Sequence, residues 1–299
     1  MNLPSCYVVD VGHGNASVLV DTDGVLIIDA GPRQKLLQFL LSNNILHISA
    51  ILISHSDRDH IAGIIDLVLE EKISIDAIYV NPDPSQDSKT WDDAITAIEN
   101  ASKEIAVGSA HSGLTGTLDN GSVNVEVLVP TVADSLRGIK GEYKAGTSIT
   151  KHSLNVVVSM NVGDKRLVLL PGDMDDDGLA SLIGLGKNMS SEVLVFPHHG
   201  GKPGRGNIKK YLEAICNTVA PTSVVFSVGH NSDKHPRTDV IEHLNTNLPE
   251  TQLWATGEAQ ALANLIESGL GGKCYNCAGT ICIEMGGTTT LSSLSKTLN

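Results

Sequence analysis

Apolar residues along the chain recur in short runs that alternate with longer amphipathic stretches. The runs are rich in Val, Ile and Leu and are typical of β-strands: CYVVDV, SVLVD, GVLIIDAG, AILIS, AIYVN, VNVEVLVP, NVVVSM, RLVLLPGD, EVLVFP, TSVVFSVG and TICIEM. Helices are predicted between them, over residues 34–42, 61–70, 90–102, 177–185, 208–217 and 238–245. Within 61–70 the apolar residues follow the i, i+3, i+4, i+7 spacing of one buried face. The pattern predicts an α/β protein.

The first thirty residues differ from the rest of the chain. Three predicted strands follow one another with only turn residues between them, at 12–15 and 21–24, which is typical of antiparallel hairpins. A chain that begins as a meander and continues as strand–helix units is expected to form two mixed sheets with helices outside. Residues 108–121 and 138–150 are rich in Gly, Ser and Thr and are predicted loops. Because no linker is recognisable, we expect residues 1–299 to form a single domain.

Length and composition narrow the class of protein. The chain has 299 residues, 41% of them hydrophobic, with 29 Gly and 5 Cys, which excludes collagen-like, disordered and disulfide-stapled proteins. A chain of this size buries a core unaided, so a bound metal would serve chemistry. The formal charge of -13 repels phosphate backbones and anionic lipids alike. Because no signal or membrane-spanning segment is recognisable, we expect a soluble, cytoplasmic protein.

The cysteines carry a weaker signal. Their odd number is consistent with reduced thiols. Cys274, Cys277 and Cys282 could be three ligands of a zinc or iron–sulfur site, but no fourth ligand is obvious nearby and Cys282 falls in a strand-like run. We therefore favour no structural metal there, and we expect Cys6 and Cys216 to be small buried hydrophobic residues.

The strongest chemical signal is SHSDRDH, over residues 54–60, between the strand AILIS and a predicted helix. It contains four metal-binding side chains: His55, Asp57, Asp59 and His60. Strand alternation would point the first three the same way, with the fourth at the helix start. Imidazole with carboxylate suits Zn, Mn or Fe, and four such groups exceed what one catalytic metal takes from one segment. Two adjacent metals are therefore predicted.

A simpler alternative is a solvated loop whose aspartates cap the following helix, a role that Asp59 could fill alone. We disfavour it because carboxylates at this spacing would repel one another without a cation. Two other strand ends add the same residue types, since LLPGD ends in Asp173 and VFPHHGG contains His198 and His199. Each is a weak signal alone. Together with SHSDRDH they would supply the bridging carboxylate and distal histidine of a two-metal site.

The order of these motifs resembles the metallo-β-lactamase superfamily, and within it the ComEC-like branch of hydrolase domains from DNA-uptake competence proteins. The resemblance runs over nearly the whole chain, through DVGHGNASVLVD, LIIDAG, SHSDRDH, LLPGD, VFPHHGG and FSVGHNSDKHP. It implies an αββα sandwich, two mixed β-sheets flanked by helices, with a dinuclear site at the sheet ends. It also implies hydrolysis by a metal-bound hydroxide on two divalent metal ions, Zn or Mn.

Carried over residue by residue, the resemblance assigns ligand positions in this chain. The predicted ligands are His55 and Asp57 for the first metal, Asp59 and His60 for the second, Asp173 as the bridge, and His198, favoured over His199, to complete the second. His152 would be the third protein ligand of the first metal, or else a surface loop histidine. Asp10 and Asp29 match positions that are structural, holding loops behind the site.

The chain departs from the family pattern at its first motif, where His13 and Asn15 replace Gln and Asp, and the role of His13 is left open. Ser227, Asn231 and His235 match the S-x-G-x-x-N-x-x-x-H-P segment of the ComEC-like branch. We expect Ser227 and Asn231 to bind substrate. His235 could protonate a leaving oxygen or bind phosphate, or it could merely pack its own loop.

A local positive patch follows the histidine pair, where GGKPGRGNIKKY brings Lys202 and Arg205 beside the predicted site. It suits a phosphate-bearing substrate, although Lys209 and Lys210 could simply decorate a solvated helix face. We therefore expect a phosphodiesterase or nuclease acting on DNA or another nucleotide phosphodiester. Aromatic residues make up only 3% of the chain, so sequence-nonspecific cutting is easier to support than base readout. The predicted catalytic residues are Asp59, Asp173 and His235.

Two alternatives stay open. The same fold also hydrolyses lactones, amides and thioesters, because fold does not fix substrate. A non-catalytic binding or regulatory subunit is the other alternative, and the near-complete ligand set argues against it. Since the chain lacks the membrane channel to which the competence domain is joined, we expect it to act alone or with a separate protein partner, and not at a membrane.

Overall fold

The computed structural model describes residues 3–81, 83, 88–143, 146–204, 206–229 and 234–294. The strands in this part of the chain are β1 Ser5–Val8, β2 Ser17–Val20, β3 Val25–Ile28, β4 His47–Ile48, β5 Ala50–Leu52, β6 Ser74–Ile75, β7 Ala77–Tyr79, β8 Ala106–Gly108, β9 Asn124–Val129, β10 Val157–Val162, β11 Lys165–Leu170, β12 Val193–Val195, β13 Ser223–Phe226, β14 Gln252–Ala255, β15 Cys274–Tyr275, β16 Thr280–Met285 and β17 Thr289–Leu294. The helices are α1 Lys35–Ser42, α2 Arg58–Ile61, α3 Gly63–Leu69, α4 Lys89–Glu99, α5 Val132–Arg137, α6 Asp176–Gly184, α7 Ile208–Val219, α8 Thr238–Asn247 and α9 Gln260–Glu267.

The described strands form two large mixed sheets. The first has the order β17-β16-β1-β2-β3-β5-β7-β8 and the second β15-β14-β13-β12-β11-β10-β9, with β4 and β6 as a separate pair. In the first sheet β1, β2 and β3 form the predicted antiparallel meander, and β3, β5, β7 and β8 are parallel. In the second sheet β9, β10 and β11 are antiparallel and β11 to β15 are parallel.

Central strands bury both of their faces, which explains their continuous apolar runs. On β3, Leu26 and Ile28 pack between the two sheets, whereas Val25 and Ile27 pack under the helices of the first sheet. On β12, Leu194 packs under the helices of the second sheet. Helices α1, α3 and α4 contribute to the outer core of the first sheet, and α6 to α9 to that of the second. The predicted αββα sandwich is confirmed.

Several elements differ from the prediction. The helix expected from residue 61 begins at Arg58 and is divided into α2 and α3. The elements that were not predicted are the strands β4, β6, β8, β14, β15 and β17 and the helices α5 and α9. Helix α5 and strand β17 expose much of their length, so neither has an apolar face that the sequence pattern could reveal. In the described part of the predicted loops, a 3-10 turn spans Ser112–Leu114 and an isolated bridge joins Glu142 to Ser148.

Two further observations bear on the sequence predictions. The five cysteines are free thiols, and Cys6, Cys216 and Cys282 are buried. None of the described helices combines the length and apolar character that crossing a bilayer requires.

Candidate metal centre

The segment SHSDRDH leaves β5 at the carboxyl end of the strand. Its first residue is anchored by the Ser54 backbone N–H, which donates to Asp29 Oδ1 at 2.7 Å. Because α2 begins at Arg58, Asp59 lies inside the helix and cannot cap it. Asp57 precedes the helix, but its side chain makes no capping hydrogen bond. The alternative in which these aspartates serve as helix caps is therefore wrong.

Four side chains from the two sheets converge beside this turn, and we call them the inner group: Asp59, His60, Asp173 and His199. Their ligand atoms all lie within 4.8 Å of one another. His60 Nε2 lies 3.2 Å from Asp173 Oδ1 and 3.3 Å from His199 Nε2. His199 Nε2 lies 3.3 Å from Asp59 Oδ2. Two carboxylates and two imidazoles at these separations could hold one divalent cation.

Hydrogen bonds behind the two histidines leave their Nε2 atoms as acceptors. His60 Nδ1 lies 2.7 Å from Asp29 Oδ2, and His199 Nδ1 lies 2.8 Å from the carbonyl oxygen of Ser227. Since a carboxylate and a carbonyl only accept, each Nδ1 carries the proton. The two Nε2 lone pairs then face each other at 3.3 Å, with two carboxylates alongside. This arrangement needs a shared proton or a cation, so the donor set fits a metal ion.

Without a cation, protonation holds the inner group together. Burial lowers the pKa of His60, but Asp173, Asp29 and Asp59 outweigh it and hold that pKa well above its ordinary value. The pKa of His199 is likewise raised, because Asp173 and Asp59 outweigh its burial. Burial acts to raise the pKa of Asp173, yet the two facing imidazoles hold it well below its ordinary value.

Metal binding is therefore expected to release about one proton per chain at pH 7, because coordination needs both Nε2 lone pairs of a pair that shares a proton. Since the pKa of His60 is raised, apparent affinity for metal should rise with pH below that pKa and level off above it. Isothermal titration calorimetry in buffers of different ionisation enthalpy measures the number of protons. A binding enthalpy that is the same in every buffer would contradict the prediction.

A second set lies beside the first and shares Asp173 with it, and we call it the outer group: His55, Asp57, His152 and His198. Together with Asp173 these residues form two triads that share His152. One triad is His55, Asp57 and His152, and the other is His152, Asp173 and His198. Within each triad the ligand atoms lie within 4.8 Å of one another. Asp57 Oδ2 lies 3.4 Å from His55 Nε2 and 3.2 Å from His152 Nε2. Asp173 Oδ2 lies 3.3 Å from His198 Nδ1. His152 is thus brought to the site, as the first of its two interpretations requires.

Two of the outer histidines, His55 and His198, have buried ring nitrogens that face this space. His55 Nε2 and His198 Nδ1 are buried and have no hydrogen-bond partner among the described residues. His55 Nδ1 lies 3.0 Å from Ser54 Oγ, whose own proton goes to Asp29, so Nδ1 donates and Nε2 keeps its lone pair. Burial lowers the pKa of both His55 and His198. Buried, unpartnered ring nitrogens beside two carboxylates also fit a metal ion.

Asp29 supports both groups from behind. It is fully buried, and its carboxylate accepts from the Ser54 hydroxyl at 2.9 Å, from His60 Nδ1 at 2.7 Å and from Asn15 Nδ2 at 3.0 Å. Through Ser54 it also fixes the ring of His55. This position agrees with the structural role expected for Asp29.

The histidine pair divides between the two groups. Both residues have positive φ, 51° for His198 and 54° for His199, so their side chains diverge. We expected His198 beside Asp59 and His60, but the structure places His199 there instead. His198 faces the other oxygen of Asp173.

Two more histidines lie at the rim of the inner group. His13 Nε2 lies 3.9 Å from Asp59 Oδ2, and its ring centroid is 4.7 Å from that of His199. The ring of His235 is 5.7 Å from that of His13 and 5.9 Å from that of His198. The structure thus brings both residues to the site, including His13, whose role the sequence left open.

The residues predicted to bind substrate are described only in part. Ser227 is buried; its hydroxyl donates to the Gly14 carbonyl at 2.7 Å and its own carbonyl accepts from His199 Nδ1, so it positions His199. Lys202 is exposed on the following loop. Arg205 and Asn231 lie outside the described residues.

Two residues that contact the candidate ligands, Lys151 and Asn155, were not predicted from the sequence. Lys151 Nζ contacts Asp57 Oδ1. Asn155 accepts the backbone N–H of Asp173 at 2.9 Å and so fixes the strand end that carries it. Both follow a predicted loop, and adjacency to His152 was the one signal that could have drawn attention to Lys151.

Comparison with known proteins agrees with this geometry. A sequence model of the metallo-beta-lactamase superfamily matches residues 9–123, which include SHSDRDH. ComE operon protein 3 of Bacillus subtilis (strain 168) is 24% identical over 251 residues, in an alignment that covers 79% of this chain and 28% of that protein. The chain therefore spans little more than a quarter of this curated relative.

Solved structures share the fold. The metallo-beta-lactamase fold protein YhfI from Bacillus subtilis matches with a TM-score of 0.52 and 13% identity, covering 84% of this chain and 96% of YhfI. Tm1679, a metal-dependent hydrolase of the beta-lactamase superfamily, matches with a TM-score of 0.52 and 14% identity, covering 84% and 95%. Over residues 9–123 the chain is thus similar in sequence to the metallo-β-lactamase superfamily, and it shares the fold of these two solved proteins.

Proposed function

We propose that this chain is a dinuclear metal-dependent phosphodiesterase or nuclease that acts on DNA or another nucleotide phosphodiester. The observation that carries the proposal is the position of Asp173 between the two ligand groups. Its Oδ1 lies 3.2 Å from His60 Nε2 in the inner group, and its Oδ2 lies 3.3 Å from His198 Nδ1 in the outer group. A carboxylate with one oxygen toward each of two sites is suited to holding two cations close together.

The donor set supports Zn or Mn in both groups, because imidazole and carboxylate suit these ions. When bound, two such ions acidify water and neutralise the oxygens of a phosphodiester. Asp59 is the more open carboxylate of the inner group, with 28% of its side chain exposed against 6% for Asp173. We assign to these two carboxylates the orientation of the attacking water, and to His235 at the rim the proton for the leaving oxygen.

Two lysine side chains near the site support the preference for a phosphodiester, because the chain as a whole is acidic. Lys151 contacts Asp57, and Lys202 is exposed on the loop after the histidine pair, while the whole chain carries a charge of -13. Local positive charge of this kind favours a phosphate group over a neutral lactone or amide. The resemblance of the ordered motifs to hydrolase domains of DNA-uptake competence proteins supports the same preference.

Metal analysis paired with a phosphodiesterase assay tests the proposal. Wild type, Asp59→Ala and Asp93→Ala are loaded with Zn or Mn and assayed on bis-p-nitrophenyl phosphate and on single- and double-stranded DNA. Asp93 is a matched control, because it is an exposed helical aspartate paired with Lys89 on α4. We expect about two metals per wild-type chain, with cleavage lost in Asp59→Ala and kept in Asp93→Ala.

Other outcomes select the alternatives. Bound metal without phosphodiester cleavage would contradict the proposal and favour lactone, amide or thioester hydrolysis. A wild-type chain that takes up no metal under any loading condition would favour a binding or regulatory subunit.

A further inference from the structure

The ammonium group of Lys151 pairs with one carboxylate oxygen of Asp57 in the outer group. Lys151 Nζ contacts Asp57 Oδ1, while His152, the next residue, lies 3.2 Å from Asp57 Oδ2. Consecutive residues thus approach the same carboxylate from its two oxygens. The pair is only partly exposed, with 33% of the Lys151 side chain and 24% of the Asp57 side chain accessible.

The loop that carries this lysine is held in place by its own hydrogen bonds. The backbone N–H of Thr150 donates to Ser153 Oγ at 2.7 Å, and the Thr150 hydroxyl donates to Asp175 Oδ2 at 2.9 Å. The Tyr143 hydroxyl donates to the Ser153 carbonyl at 2.8 Å. Because these bonds flank Lys151 and His152 on both sides, the fold holds the stretch of backbone from which both side chains reach Asp57.

The inner group has a different electrostatic environment. Over the described ranges of the chain, no lysine or arginine nitrogen comes within ion-pair distance of Asp59 or Asp173, whose charged neighbours are histidines. Imidazoles give up their protons when they bind a metal, whereas Lys151 forms a direct ion pair with Asp57. A metal ion in the outer group would therefore share Asp57 with the ammonium group of Lys151.

We propose that Lys151 is an internal counter-cation that weakens the outer metal position relative to the inner one, so that the two positions fill in order, inner before outer. The inference rests on the two-metal site proposed above. Its physical basis is the repulsion between the ammonium group and a divalent ion that the outer group, with Asp57, would hold. The outer position then exchanges with the surrounding metal pool, while the inner position stays occupied.

Titration of metal-free protein with Mn²⁺ tests the proposal, with binding followed by calorimetry and free Mn²⁺ by electron paramagnetic resonance. Wild type should show two binding events of different affinity. Removing the charge in Lys151→Met should tighten the weaker event about ten-fold and leave the stronger one unchanged. Lys151→Gln, an independent neutral variant, should behave in the same way if Lys151→Met folds poorly.

Two controls separate this effect from a general change in charge. Lys151→Arg keeps the cation and should leave both events as in wild type. Lys89→Met removes one exposed lysine that pairs with Asp93 on α4 and should also change neither. An unchanged or weakened outer event in both neutral variants would overturn the inference while leaving the two-metal site intact. Absence of any Mn²⁺ or Zn²⁺ binding by wild type would overturn both.

Discussion

An Asp173→Asn variant is expected to keep the fold, to bind fewer than two metals and to lose hydrolytic activity. Asparagine has nearly the same volume, but it carries no charge and presents an NH₂ group where one carboxylate oxygen stood. Since Asp173 faces both ligand groups, at least one of them then meets a donor instead of an acceptor. The loss of rate should exceed the ~10–100-fold that is typical of a residue that only orients a ligand. Metal content per chain and the rate of phosphodiester cleavage measure both effects.

Asp164→Asn is the matched control for this variant. Asp164 is exposed in the turn before β11, at the end of that strand remote from Asp173. It should leave metal content and rate at their wild-type values, and circular dichroism should show the same secondary structure for all three proteins. Two metals and full activity in Asp173→Asn would refute the bridging role.

The second large effect is expected from Asp29→Asn, which should lower both stability and metal affinity. Asparagine tolerates the positive φ of 61° at this position, so backbone strain does not complicate the comparison. Its NH₂ group, however, must face a donor, either the Ser54 backbone N–H or His60 Nδ1. Leaving buried donors unpaired and removing the buried charge should cost about 3 kcal/mol of unfolding free energy.

Metal affinity should fall by ~10–100-fold in the same variant, because His60 loses the carboxylate that fixes its Nδ1 proton. Chemical denaturation of metal-free protein and metal titration by calorimetry measure the two changes separately. Asp23→Asn, an exposed change in the neighbouring β2–β3 turn, is the control. If Asp29→Asn matched Asp23→Asn in both measurements, the supporting role of the buried carboxylate would be wrong.

Most of the fold was predictable because the central strands bury both faces and therefore read as continuous apolar runs, as β3 and β12 do. The first turn of the α2 helix was not, because apolar spacing begins at Ile61 and the preceding residues are polar. Those residues are polar because they carry the ligands Asp59 and His60. The start of this helix was thus predicted too late, because its first residues are candidate metal ligands and not apolar core residues.

The site was partly predictable for a related reason. SHSDRDH and the histidine pair are clusters of neighbours at strand ends, so their residue types alone indicate chemistry. The division of His198 and His199 between the groups depends on the positive φ angles of these two residues. Histidine has no strong preference for positive φ, so the sequence does not predict these angles. Lys151 reaches Asp57 across 94 positions of the chain, and only the folded loop brings the two together.

Each ligand group draws on both halves of the sandwich. In the inner group, Asp59 and His60 follow β5 of the first sheet, whereas Asp173 and His199 follow β11 and β12 of the second. Neither half of the chain can therefore assemble the inner group alone, and during synthesis capture of a metal there must wait until both sheets have formed and docked. Once bound, the ion opposes separation of the two sheets, because binding to the docked state alone shifts the folding equilibrium toward it. The same ions that would support hydrolysis would thus also stabilise the docked arrangement of the two sheets.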